Sequence, residues 1–176
     1  MNNLFFRQET NKDFEGVFET HQLAFEQDKE ARLVNALRNN LDVFIPELSI
    51  AATDNDNKVV GHILFTKIKV VQVNQSEIES LALAPLAIRP EFQNKGIGGQ
   101  LIHLGLEKAK ELNYRSVIVL GHKQYYPKFG FVPANKWNII SSYDVPSSHF
   151  MAIELVKEGL RNVSGLVKYA REFDDL

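Results

Sequence analysis

The stretch "LALAPLAIRPEFQNKGIGGQLI", residues 81–102, decides how this chain is read. Its first eight residues are an apolar run of strand length. Arg89, Pro90 and Glu91 end that run, and Gln93, Asn94, Lys95, Gly96, Ile97, Gly98 and Gly99 follow as a glycine-rich turn. From Ile97 onward apolar residues recur at helical period, which predicts a helix over 97–112 with Ile97, Leu101, Leu104, Ala109 and Leu112 facing inward. A strand that turns through glycines into a helix presents that helix's free N–H groups and the positive end of its dipole. An anion is the natural ligand there, phosphate above all, and side chains at Gly96 and Gly98 would obstruct it. Two common phosphate turns do not fit. No Gly-Lys-Ser/Thr is present, which excludes a P-loop, and Leu101 stands where a dinucleotide fingerprint needs its third glycine. Glycines also serve a tight turn without any ligand, so the surroundings have to decide.

Those surroundings alternate between strands and helices. Leu4–Arg7 reads as a short first strand. Thr10, with Asp13 three residues on, caps a helix that carries Phe14, Val17, Phe18, His21 and Phe25 on one face. A second helix starts near Asp28 and buries Leu33, Val34 and Leu37. Leu48–Thr53, the turn "DNDNK" and Val59–Val71 form an antiparallel hairpin, and Ile78–Ile88 is the next strand. "SVIVLG" (116–121) is a buried strand, "HKQYYPKFGF" (122–131) a short helix or turn, and "HFMAIEL" (149–155) the clearer of two final strands. The fold class expected is α/β: a mixed, mostly antiparallel sheet flanked by helices, in a single domain over residues 1–176.

Composition narrows the partners. The chain has 176 residues, 44% hydrophobic and 24% charged, with a formal net charge of −2. No basic excess favours nucleic acid or anionic lipid. There is no cysteine, so disulfides, thiolate catalysis and cysteine–zinc sites are excluded. No apolar run has signal-peptide or membrane-spanning length, and a cytoplasmic location is expected. His21, His103, His122 and His149 lack the close spacing of a metal site, so no metal is expected.

The turn Gln93–Gly98 resembles the acetyl-coenzyme A pyrophosphate loop, Gln/Arg-x-x-Gly-x-Gly/Ala, of the GCN5-related N-acetyltransferase (GNAT) superfamily. About 30 residues downstream, "YYPKFGF" (125–131) is similar to that family's Tyr-x-Lys-x-Gly-Phe signature. The resemblance extends through "AFEQDKEARLVNALR", "FIPELSIAA", "VVGHILFTKIKV" and "YDVPSSHFMAIEL", and covers Leu4 to about Leu155. It looks closest to a bacterial subfamily of little-characterised acetyltransferases.

This resemblance implies a sheet whose central strands splay, acetyl-CoA as cosubstrate, and direct transfer of the acetyl group to a primary amine. Gln93, Asn94, Lys95, Gly96, Ile97, Gly98 and Gly99 would hold the pyrophosphate. Leu86, Ala87 and Ile88 would pair with the pantetheine arm, and a backbone N–H near Leu86 would face the thioester carbonyl. Tyr126 would protonate the leaving thiolate, with Tyr125 its neighbour in register. Pro127 is unusual after that tyrosine. The glutamate that some members carry on the central strand falls on Ala82 and is absent. Glu79, Ser80, His62 and water stay open as general base. The acceptor is a small-molecule or peptide amine, its specificity set by loops around Gln27, Glu47 and Tyr143. A homodimer is compatible with the resemblance. Two other readings stand beside the enzyme: an acyl-CoA-binding sensor without turnover, and an interaction domain with an empty cleft. The intact Tyr126 speaks against the first and the intact glycine loop against the second.

Overall fold

Long runs of aliphatic residues over 44–88 leave the chain one economical arrangement, a meander of strands buried on both faces. The computed structural model describes residues 3–175. In chain order its elements are β1 (Phe5–Gln8), α1 (Phe14–Phe25), α2 (Lys29–Arg38), β2 (Phe44–Thr53), β3 (Val59–Val71) and β4 (Glu77–Ile88). Then come α3 (Ile97–Glu111), β5 (Ser116–Leu120), β6 (Val132–Pro133), β7 (Ile139–Ile140), β8 (Phe150–Glu154) and β9 (Gly165–Lys168). β1 to β4 are antiparallel neighbours. β5 joins β4 in parallel, β8 pairs antiparallel with β5, and β6 closes the order β1-β2-β3-β4-β5-β8-β6. β9 takes the edge of β3 at Lys69–Val71, beyond Thr66 where β2 stops, and β7 lies parallel to β9. The mixed, mostly antiparallel sheet expected from the sequence is the one observed.

Three apolar clusters hold the layers. α3 packs Ile97, Leu101, Ile102, Leu106 and Ala109 against Ile63, Phe65, Leu81, Leu83 and Val117 on one face of the sheet. α1 and α2 cover the other face with Val17, Leu33, Val34 and Leu37 against Leu64 and Val59. The third cluster lies under 134–167 and joins Ile68, Val70, Ala82 and Ile118 to Ile139, Phe150 and Val167. Burying each large aliphatic chain contributes about 1.5–3 kcal/mol, so these layers supply the main drive to fold.

Several local expectations are corrected. Leu104 is 43% exposed; the inward position on that turn belongs to Gly105. A Cβ at Gly105 would overlap the fully buried Phe65 ring, so α3 reaches the sheet only with no side chain there. Phe14 and Phe25 are partly exposed as well, at 36% and 38%. Phe14 lies under the Arg38 guanidinium, 3.8 Å from ring centre to Cζ. β1 starts at Phe5, one residue later than read, and β2 starts at Phe44, four residues earlier. The Thr10 cap is present, with its N–H and its hydroxyl both bonding to Asp13, but it opens a short 3-10 turn that leads into α1. Segment 122–131 is no α-helix: Tyr126–Phe129 is a single 3-10 turn. Pro127 sits near its start, where a missing N–H costs nothing. Four short strands follow, not two.

Between α1 and the sheet lies a buried polar chain. His21 and His62 share a hydrogen bond of 2.9 Å, and the other ring nitrogen of His62 meets the Ser49 hydroxyl at 2.9 Å. Glu9, held by both ends of the Arg38 guanidinium, lies 3.6 Å from His62. Burial disfavours the charged rings, pushing His21 down and His62 down to about 3.

Two predictions concern stability. Gly105→Ala should lower it by about 1–3 kcal/mol through overpacking against Phe65, and a urea titration that finds no loss would contradict the packing described. The histidine pair makes stability depend on pH. Below about 6.5 an unfolded chain protonates both rings while the fold keeps them neutral, so the unfolded state holds more protons and stability falls with falling pH. Between about pH 7.5 and 5, His62 alone accounts for a loss of about 2 kcal/mol. A urea midpoint that does not fall over that range would show that the rings are protonated in the fold.

Candidate active site

β4 and β5 stay together for only two pairs, Leu81 with Val117 and Ala82 with Ile118. At the closed end the buried Ser80 hydroxyl bonds the Ser116 hydroxyl at 2.7 Å. Past Ala82 the strands part. On β4 three steps from Leu83 to Leu86 match two on β3, Phe65 to Ile63, so the Ala84–Pro85 segment carries a bulge. A bulge bends its strand, and Pro85 offers no N–H for a ladder. The edge of Leu86–Ile88 is thereby left open. Arg89 donates its N–H to Val60 on β3 (2.9 Å). Strand alternation then turns the N–H groups of Ile88 and Leu86 toward the open side. The Gln93 side chain already reaches that side, donating to the Ile88 carbonyl at 3.1 Å.

α3 begins at the mouth of this gap. Asn94 and Gly96 have left-handed φ angles of 60° and 79°. Gly96 supplies the turn without strain, and a Cβ there would meet nothing within 4 Å, so the space above it is open. The amide of Gln100 donates to the Gly96 carbonyl at 3.1 Å. The three amides before it, on Ile97, Gly98 and Gly99, belong to the first turn of the helix and face outward unpaired. At Gly98 a Cβ would lie 2.8 Å from the Tyr125 hydroxyl, so a side chain there would push that ring tip aside.

A groove of about 610 Å³ runs from the open strand edge to this helix end. Every cofactor-binding residue expected from the sequence except Lys95 lines it, and so does Tyr126. Lys95 folds back on its own loop, donating to the Glu91 carbonyl at 2.8 Å with its ammonium 5.1 Å over Phe92. Tyr126 is buried against Phe131 and Tyr125, and Gly121 makes room for its ring. Burial, with Tyr125 beside it, pushes its phenol well above the ordinary range, so it keeps its proton near neutral pH. Burial raises Tyr125 too.

Other wall residues escaped the sequence reading. Ala24 and Phe25 reach the groove from the end of α1, and Phe92 from the loop. Phe25 carries an apolar signal that reads equally well as core. His122 also borders the groove, and its carbonyl accepts from the amides of Tyr125 and Tyr126. The residues kept open as general base are elsewhere. His62 is sealed among His21 and Ser49, and Ser80 is spent on Ser116. Glu79 is exposed near the start of β4, seven residues or roughly 23 Å of extended strand from Leu86. Among the described residues no three His, Asp or Glu side chains are grouped to hold a metal ion, and no helix is long and apolar enough to cross a membrane.

A sheet split beside a helix N-terminus has the shape to take an extended ligand with an anionic end. Residues 5–131 match the acetyltransferase (GNAT) family, and the chain belongs to it and is an N-acetyltransferase. It is 31% identical over 171 residues to "Uncharacterized N-acetyltransferase YhbS" of Escherichia coli (strain K12), spanning 97% of this chain and 99% of that one. The crystal structure of YhbS from Escherichia coli in complex with CoA superposes with a TM-score of 0.91 at 28% identity, covering 99% of this chain and 93% of that one. A GNAT family acetyltransferase from Brucella melitensis, crystallised with acetyl-CoA, gives 0.79 at 26% identity, covering 99% and 100%.

The loop geometry yields a paired prediction. Gly96→Glu places a carboxylate at the anion site and should weaken acetyl-CoA binding at least a hundredfold, as about two charge-assisted hydrogen bonds are lost. Gly96→Asn tolerates the left-handed turn without adding charge and should lose roughly tenfold or less. Calorimetric titration of both folded variants checks this. Equal affinities would contradict an anion site at Gly96.

Proposed function

We propose that this protein moves the acetyl group of acetyl-CoA to a primary amine by direct transfer, with Tyr126 as general acid. The observation that carries this reading is the meeting, in one groove, of the open β4 edge, the first turn of α3 and Tyr126. The amides of Ile97, Gly98 and Gly99 bind the pyrophosphate with the helix dipole behind them. The pantetheine arm adds to the β4 edge as a further strand, using the Leu86 and Ile88 groups that face the gap. The Leu86 N–H donates to the thioester carbonyl oxygen, where charge develops as the amine attacks.

The electron balance is simple. The amine nitrogen forms a bond to the acetyl carbon, the carbon–sulfur bond breaks, and the thiolate takes the proton of Tyr126. The nitrogen's surplus proton leaves through water, since His62 and Ser80 are engaged elsewhere and Glu79 is remote. Tyr126 regains its proton from solvent. A phenol held well above its usual range keeps its proton at neutral pH, so the acid form is the one present in the groove, and the same shift makes it a weaker acid whose phenolate is quickly reprotonated. A protonated tyrosine in the groove supports turnover over mere CoA sensing, which needs no proton donor there.

The test is thiol release with acetyl-CoA and a panel of amines. Tyr126→Phe should lower kcat by roughly 10²–10³ while the KM for acetyl-CoA barely moves, since the ring packing is kept. Tyr125→Phe should be much milder. If Tyr125→Phe is the crippled variant, the acid is one residue earlier; if neither is impaired, no tyrosine acts as acid.

A further inference from the structure

The gap between β4 and β5 has a second side. On the face away from α3 a pocket of about 400 Å³ opens beside Ala82, Ala84 and Ile118, just where the strands part. Leu120 lines this pocket and also the shallow groove at Gly121 and His122, which borders the cofactor groove. The two cavities thus line adjoining stretches of β4, residues 82–84 and residues 86–88.

The walls of this second pocket are aromatic. Tyr143 and Tyr169 lie 5.3 Å apart by ring centre, and Tyr169 and Phe173 lie 5.2 Å apart, forming a continuous row. Phe173 is buried and fixes the 3-10 segment Arg171–Asp175 against the α1–α2 layer. That segment brings Asp174 to the pocket, where it is the only charged residue in the lining among the described residues. Tyr143 feels this carboxylate, which helps burial hold its phenol above the ordinary range.

Resting on the acetyltransferase reading above, the geometry points to the acceptor class: a small primary monoamine with an apolar, preferentially aromatic body. Its ammonium binds at Asp174 over the faces of the tyrosine rings, and its carbon body lies on Ala82, Ala84 and Ile118. A carboxylate complements the one positive charge, and tyrosine faces add cation–π attraction. Apart from the hydroxyls of Tyr143 and Tyr169 the rest of the lining side chains are apolar, so among the described residues there is no second carboxylate for another ammonium and little to pair with a peptide backbone, and each polar group buried there without a partner would cost free energy. Polyamines and peptide N-termini are therefore disfavoured. On moving from Asp174 toward the thioester the amine gives up its proton to water and presents its lone pair.

The experiment measures thiol release at saturating acetyl-CoA with 2-phenylethylamine, hexylamine, spermidine and glycylglycine. The expected kcat/KM is at least about tenfold higher for the first two. Asp174→Asn should raise the KM for 2-phenylethylamine roughly ten- to hundredfold, with the dissociation constant of acetyl-CoA unchanged. Tyr143→Ala, in an exposed loop, should narrow the preference for the aromatic amine over hexylamine. Preference for spermidine or glycylglycine, or a KM within twofold in Asp174→Asn, would overturn this acceptor assignment. Acetyl-CoA bound but no apolar amine accepted would overturn it alone. Failure to bind acetyl-CoA in calorimetry would instead overturn the acetyltransferase reading on which it rests.

Discussion

β4 belongs to two structures at once, and its brief contact with β5 is the constraint that the rest of the molecule serves. Two residue pairs and the Ser80–Ser116 hydrogen bond join the strands at one end. The bulge at Ala84–Pro85 then turns β4 away, leaving the polar groups of Leu86 and Ile88 without a neighbour in the sheet. Unpaired strand groups are ordinarily paired, capped or covered because they are sticky. Here they form the floor of a groove whose mouth is the N-terminus of α3. An extended arm ending in a pyrophosphate matches both features: strand pairing along its length and amide donors at its charged end.

The surrounding packing keeps that edge from closing. α3 is pressed onto the sheet by Gly105 over Phe65, which fixes the height of its first turn relative to β4. On the opposite face, His21, His62 and Ser49 form a buried polar chain behind Ala87, the residue facing His62 in the β3–β4 register. Directional hydrogen bonds in a buried setting resist sliding more than aliphatic contacts do. The same network removes His62 from chemistry. Its two nitrogens are occupied, and its pKa of about 3 reflects a ring kept neutral by burial.

Much of this was legible in the sequence because local signals and tertiary need coincided. Residues 86–88, the glycines at 96 and 98 and the tyrosines at 125 and 126 all line one groove, as the family resemblance implied. The glycine roles proved unequal. Gly96 answers a left-handed turn below open space, whereas Gly98 answers contact with the Tyr125 hydroxyl, and no sequence pattern separates the two. Leu104 misled because helical period tolerates a neighbouring phase, and only the position of Phe65 selects Gly105. Asp174 and Tyr169 were illegible for another reason. They reach the β4–β5 gap through β9 and the turn after it, a long-range pairing on the edge of β3 that local periodicity does not encode.

The central claim, that the parted strands and the first turn of α3 together hold the cofactor, is most directly tested by amide hydrogen exchange with and without acetyl-CoA. The account predicts new protection at Leu86 and Ile88 and at Ile97, Gly98 and Gly99, with β1, β2 and β9 unchanged. Binding that leaves the amides of 86–88 and 97–99 exchanging at their free rates would contradict it.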